Sequence, residues 1–332
     1  MTIDLVKSFE ETGASEMAKA RSSRVPKTPR APKTPRAPRR LPATSKQRAP
    51  LSSSGLLTRT ILTVVSALLL AFVINVTVLS QIQHLVSQQQ LSNAYREQLA
   101  AGTAPVSEGD FNDALLTDGA PLGVISIPSL GVNEVFVEGT SSDSLKLGPG
   151  HRRDTVLPGQ TGISVIMGRA ASYGGPFSRI QELAPGNTFH IRTGQGNLLF
   201  KVIGVRYAGD PTLASPAPSQ SRLTLVTARG PAFIPSGIAY VDAQLATPAK
   251  PAGVRQTTFI GLPREDLAMA TDTSTVWALV FALQFLIVVE LGAVWAYRRV
   301  GAQKTWVVFV PLTALAVLFT ANQVTILLPN LL

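Results

Sequence analysis

The chain has 332 residues, 45% of them hydrophobic, with a formal net charge of +10 and no cysteine. The missing thiols exclude disulfides, thiolate metal sites and any reaction run by a cysteine nucleophile. The charge does not point to nucleic acid: residues 1–59 hold 13 Lys/Arg against four Asp/Glu, while residues 60–274 hold 14 against 15. An excess confined to one flank of an apolar run is the asymmetry of a membrane protein.

Residues 1–58 contain one aromatic residue, Phe9, and too little apolar surface to offset the entropy of ordering, which predicts a disordered basic tail. Within it, Val25 to Arg39 carries Pro-Lys-Thr-Pro-Arg-Ala-Pro twice, a composition that favours polyproline II. The expected partner of such a tail is anionic lipid or an acidic cytoplasmic protein. Thr28 and Thr34 precede prolines, a weak pattern for phosphorylation.

Residues 59–80 are long and apolar enough for a first transmembrane helix. Residues 81–118 follow as a stalk helix and linker, in which Leu91, Tyr95 and Leu99 recur every four residues as a packing seam. Short alternating runs bounded by turn residues predict strands at 123–128, 162–167, 188–192, 197–207, 223–228 and 238–245. Six or more such strands within residues 119–248 imply a closed barrel or sandwich. A linker over 249–274 leads to transmembrane helices at 275–297 and 306–328, joined by a loop (298–305) bearing Arg298, Arg299 and Lys304. The basic flanks place the N-terminus in the cytoplasm, with the β domain and the last residues outside the plasma membrane.

Polar residues inside the spans are costly unless they face protein. Gln284, Glu290 and Asn322 are therefore expected at contacts, with Glu290 bonding Asn322 or a partner's helices. Gly292 and Ala296 are spaced as a small-residue contact face. Three spans exceed what anchorage needs, so other membrane proteins are the expected partners of the helices and stalk.

Several motifs recur in one order: Ile-Ser-Ile-Pro-Ser-Leu-Gly-Val at 125–132, Val-Glu-Gly-Thr at 137–140, Leu-Gly-Pro-Gly-His at 147–151, Leu-Pro-Gly-Gln at 157–160, Tyr-Gly-Gly-Pro-Phe at 173–177 and Leu-Thr-Leu-Val-Thr at 223–227. This series, spanning Gly123 to Val241, resembles the sortases, especially the actinobacterial class E enzymes. The resemblance implies a mainly β extracytoplasmic domain, a sortase-like eight-stranded β-barrel, carried here with three transmembrane α-helices. It also implies a cysteine transpeptidase site, whose slots are altered. Arg169 stands at the histidine's place, Ala228 at the cysteine's and, counting back from Val241, Ile238 at the arginine's.

Loss of nucleophile, proton carrier and charge stabiliser together implies a protein without transpeptidase activity. Its expected role is a scaffold, accessory or regulatory subunit of a cell-envelope membrane complex. An envelope-ligand sensor is one alternative, with Arg169, Arg179, Arg229 and Thr224 lining the old groove to hold a carboxylate or phosphate. Another is an enzyme with a threonine nucleophile: Thr224 shares the face of Ala228, whereas Thr227 points away from it. His84, His151 and His190 are widely separated and predict no metal site, and no cofactor is expected. Leu41-Pro-Ala-Thr-Ser45 resembles a sorting signal without its glycine, a coincidence on the cytoplasmic side.

Overall fold

The computed structural model describes residues 53–110, 114–253 and 255–332, so the expectations for the basic tail through residue 52 lie outside the described residues. The first helix, α1 (Ser53–Ile74), passes through a π-helical turn at Asn75–Leu79 directly into α2 (Ser80–Ala101). Its apolar and stalk portions form one stretch of 40 residues from Leu62 to Ala101. At 1.5 Å per residue this is about 60 Å, roughly twice a hydrocarbon core, so the second half stands clear as a stalk. It stops at Gly102, whose φ of 67° lets its N–H reach the Gln98 and Leu99 carbonyls.

Eight strands follow: β1 (Pro121–Ile127), β2 (Val132–Glu138), β3 (Gly150–His151), β4 (Gly162–Met167), β5 (Thr188–Thr193), β6 (Gly196–Tyr207), β7 (Ser221–Arg229) and β8 (Gly237–Leu245). They close in the order β1-β2-β3-β4-β7-β8-β6-β5. The β2/β3 and β4/β7 pairs are parallel and the others antiparallel. All six strands anticipated from alternation are present. Two were missed for local reasons: the last four residues of β2 are all buried, which erases the period-two signal, and β3 is only two residues long. A short helix, α3 (Ser142–Leu147), separates them, capped by Ser141 accepting the Ser144 N–H.

The barrel interior holds Ile125, Phe136, Ile166, Phe189, Phe200, Leu223 and Val241, all fully buried. Phe189 stacks on Phe200 at 5.8 Å between ring centres, and burial of each such ring contributes about 2–3 kcal/mol. The stalk docks on the outside through polar groups more than through the expected Leu91–Tyr95–Leu99 seam. Leu99 stays exposed, whereas the Gln88 side chain bonds the Val135 and Leu147 carbonyls and the Val135 N–H. His84 pairs with Glu134 at 3.1 Å, and the Tyr95 hydroxyl donates to the Arg192 carbonyl.

After the barrel, α4 (Val276–Val300) and α5 (Ala302–Ile326) form the predicted hairpin. Leu286 and Val289 of α4 pack on Ala316 of α5. Gly292, expected on a small-residue contact face, meets α5 of its own chain: a Cβ there would sit 3.2 Å from the Phe309 ring. No hydrogen bond joins Glu290 to Asn322 among the described residues; both are half-buried, and Gln284 is exposed on the surface of α4. The polar link between spans is instead Thr325 Oγ1 donating to Asn75 Oδ1 at 3.0 Å, both residues buried. An unpaired amide in hydrocarbon would be costly, and this bond ties α5 to the first helix.

Gly123 lies where β1 is squeezed between its neighbours. A Cβ would stand 2.4 Å from the Arg192 carbonyl oxygen and 2.6 Å from the Phe136 ring. Gly123→Ala is expected to destabilise the barrel by about 2–3 kcal/mol, read as a lowered Tm of the detergent-solubilised full chain by circular dichroism.

Candidate functional site

Register brings three distant positions together. In the parallel β4/β7 pair Met167 lies opposite Val226, so the chain leaving β4 runs past the end of β7. In the β7/β8 pair Ala228 lies opposite Ile238. Ala228 is buried in a cluster with Leu145, Val165, Met167 and Val226, against which Ala170, Ile238 and Tyr240 pack. Beside it, Arg169 is fully buried.

A buried guanidinium needs several acceptors, since desolvating a charge without partners is prohibitive. Here Nη2 donates to the Ser142 carbonyl at 2.9 Å and to Ser142 Oγ at 2.8 Å, while Nη1 donates to Ser172 Oγ at 3.1 Å. The group also stacks on the Tyr173 ring at 4.9 Å. Burial pushes its pKa down to about 10, opposed by Tyr173 and Asp143, so it remains cationic at neutral pH.

Its last acceptor comes from the other end of the chain. Arg169 Nη1 donates to the Leu332 carbonyl at 3.2 Å, and Ser172 Oγ donates to the same oxygen. The Ala170 N–H reaches the Leu331 carbonyl at 2.8 Å. Leu331 and Leu332 are themselves buried in the Ala228 cluster. One residue earlier, the Asn330 carboxamide donates to the carbonyls of Thr140, Glu265 and Leu267. The segment after α5 thus fills the space over Ala228. Sequence reading did not find this, because Leu-Leu after an apolar helix looks like the helix's own margin.

The family model for the sortase domain matches residues 125–236. These residues form a sortase domain. Sortase D of Bacillus subtilis is 28% identical over 112 residues, 33% of this chain and 55% of that protein, so the match spans about half of the relative's length. Among solved structures, the Clostridium perfringens Sortase D5 transpeptidase is 19% identical, covering 50% of this chain and 99% of its own at a TM-score of 0.39. A sortase from Actinomyces oris is 28% identical, covering 43% and 86% at a TM-score of 0.36. Sortase homologues are cysteine transpeptidases; in this sortase domain the chain offers no thiol.

The expected ligand groove does not assemble from all four of its residues. Arg169 is in the pocket. Arg179 is exposed and bonded to Glu182 at 2.6 Å, and Arg229 is exposed with its guanidinium over the Tyr207 ring. Thr224 donates to Asp242 Oδ1 at 2.7 Å in a separate cavity of about 220 Å³, where Arg206 holds the other carboxylate oxygen at 2.6 Å. Thr227 points away from Ala228 and gives its hydroxyl to the Gly168 carbonyl. His151, at the end of β3, bridges Glu138 and the Val156 carbonyl. His190 is exposed in the cleft between stalk and barrel, and His84 belongs to the stalk contact. Among the described residues no group of His, Asp and Glu has the arrangement of a metal site.

Below the pocket, Asp266 accepts the Thr140 N–H at 3.1 Å, and its carbonyl accepts the Thr140 hydroxyl. Burial raises its pKa to about 6; the Thr140 bond opposes this, Asp118 and Glu265 add to it, and Arg153 opposes it. A carboxyl whose folded pKa is raised binds more protons in the native state. Its contribution is therefore fully present below about pH 4 and lost as pH rises through about 6. Asp266→Asn is expected to flatten that limb of a stability-against-pH profile measured by chemical denaturation.

Proposed function

We propose that the protein is a binding member of a cell-envelope membrane assembly, a sortase domain that carries out no transpeptidation and serves as a scaffold or regulatory subunit. The observation that carries this reading is the Ala228 methyl, buried beside Arg169 beneath Leu331 and Leu332. A thioacyl route needs a thiolate at an accessible position, and a methyl group supplies none. Arg169 cannot replace a histidine in proton transfer, because it holds its proton far above neutral pH.

A threonine nucleophile fares worse than a binding role. The Thr227 hydroxyl is spent on a carbonyl, and the Asp242 carboxylate beside Thr224 is held by Arg206. The basic residues before α1 and around Gly301 support a reading with those ends in the cytoplasm and the barrel outside the plasma membrane. Exposed Gln284 and half-buried Glu290 on α4 support contacts with other membrane proteins.

The full-length protein in mild detergent is expected to leave fluorogenic sorting-signal peptides uncleaved, at the rate of buffer alone. It is expected to retain a defined membrane partner that Glu290→Leu releases, identified by mass spectrometry of the co-purified material. Peptide turnover, or a lone monomer from both proteins, would overturn the reading.

A further inference from the structure

The segment that fills the pocket is held as a ligand is held. It leaves α5 through a turn, Leu327 and Leu328 bonding back to the Val324 and Thr325 carbonyls, and the polar contacts of Asn330 to Leu332 beyond that turn are to groups of the barrel and the linker that follows it. Three features recur in them. A carboxamide, Asn330, is read by three carbonyls that converge on it. Two aliphatic side chains, Leu331 and Leu332, enter an apolar chamber formed by Leu145, Met167 and Ala228. A backbone carbonyl, that of Leu332, is received by a guanidinium and a hydroxyl.

The fit is incomplete in a telling way. On the barrel side, Arg169 Nε and the Tyr173 hydroxyl are buried without a hydrogen-bond partner. Buried donors left unmade weaken an association relative to a ligand that meets them. The resident segment therefore leaves polar capacity in the pocket unused.

We propose that the Arg169–Ala228 pocket is a peptide-binding site whose resident ligand is the chain's own Asn330-Leu331-Leu332, displaceable by a peptide presenting the same carboxamide, aliphatic pair and carbonyl. The proposal rests on the reading of the barrel as a binding module. Tethering raises the effective concentration of the resident segment to the order of millimolar, so an incoming peptide must bind more tightly or arrive on a partner already held nearby. Because the segment directly follows α5, displacement also frees the end of that helix. Occupancy of the pocket and the position of the transmembrane hairpin are thereby linked, and linkage works in both directions.

The absence of native cysteine makes the test direct. In Ala228→Cys the single thiol lies under Leu331 and Leu332, and its alkylation by a maleimide in the folded full-length protein reports whether the segment is seated. We expect slow labelling of this protein and labelling at least tenfold faster when Leu331→Asp and Leu332→Asp are added. The amidated peptide Leu-Pro-Asn-Leu-Leu should restore protection to the faster protein, and a scrambled peptide should not. Asn330→Ala, which removes the carboxamide without touching the chamber, is the second variant if the double aspartate protein fails to fold; it too should label faster. Equal labelling with and without the substitutions, or no protection by the peptide, overturns the proposal. Mass spectrometry of the peptide incubated with the unsubstituted protein separates the two readings: cleavage there would sink the non-catalytic reading, whatever the labelling rates.

Discussion

A single buried cation organises the centre of this molecule. Arg169 has no contact with water, so its charge is tolerable only because α3, the loop after β4 and the segment after α5 all turn oxygens toward it. Breaking such an arrangement from one side leaves an uncompensated charge, which costs more than the arrangement gains over an apolar alternative. The three elements are therefore constrained together. The loop follows suit: Tyr173, Gly174 and Gly175 all take positive φ, and the Gly174 Cα lies so close to His84 of the stalk that a Cβ would stand 2.6 Å from its ring.

The same logic recurs outside the barrel, where irregular segments are tied down by side chains that accept several backbone donors at once. Glu108 takes the Gln256 and Thr257 N–H groups and pairs with Arg255, joining the linker before the barrel to the one after it. These bonds, together with the nearby Arg255 charge, outweigh desolvation and hold the Glu108 carboxyl below its ordinary pKa. The stalk is fixed in a related manner by Gln88, a side chain able to donate and accept at once. Both linkers and stalk thus act as parts of the barrel's outer wall rather than as flexible spacers.

Which of this could be read in the sequence follows from where each signal resides. The alternation of β7 and the uniform apolarity of the spans are properties of consecutive residues, and both were legible. The short motifs located Arg169, Ala228 and Ile238, whose proximity needs only the β4/β7 and β7/β8 registers. What stayed hidden depends on pairs far apart in the chain: Asn330 on Thr140, Thr325 on Asn75, Gln88 on Val135. Each is a polar residue with no local pattern around it. The stalk's docking was legible only in part: Tyr95 of the expected seam is buried against the barrel, while Gln88 and His84 lie outside any apolar period.

The hairpin acquires a structural meaning from the segment it ends on. A chain that crosses a membrane once after the barrel would finish on the opposite side from it. Two crossings return it, and here the Asn330 N–H bonds the Ala270 carbonyl, so the exit of α5 lies against the linker that leads into α4. The link between Thr325 and Asn75 stands one residue before the end of α5 and ties that end to the first helix. An element that must deliver three residues into a closed pocket needs its departure point held to within a side-chain length, and a single tilting span cannot supply that. A span packed on α4 and tied by a polar contact to the first helix can, which accounts for a membrane part larger than anchorage alone requires.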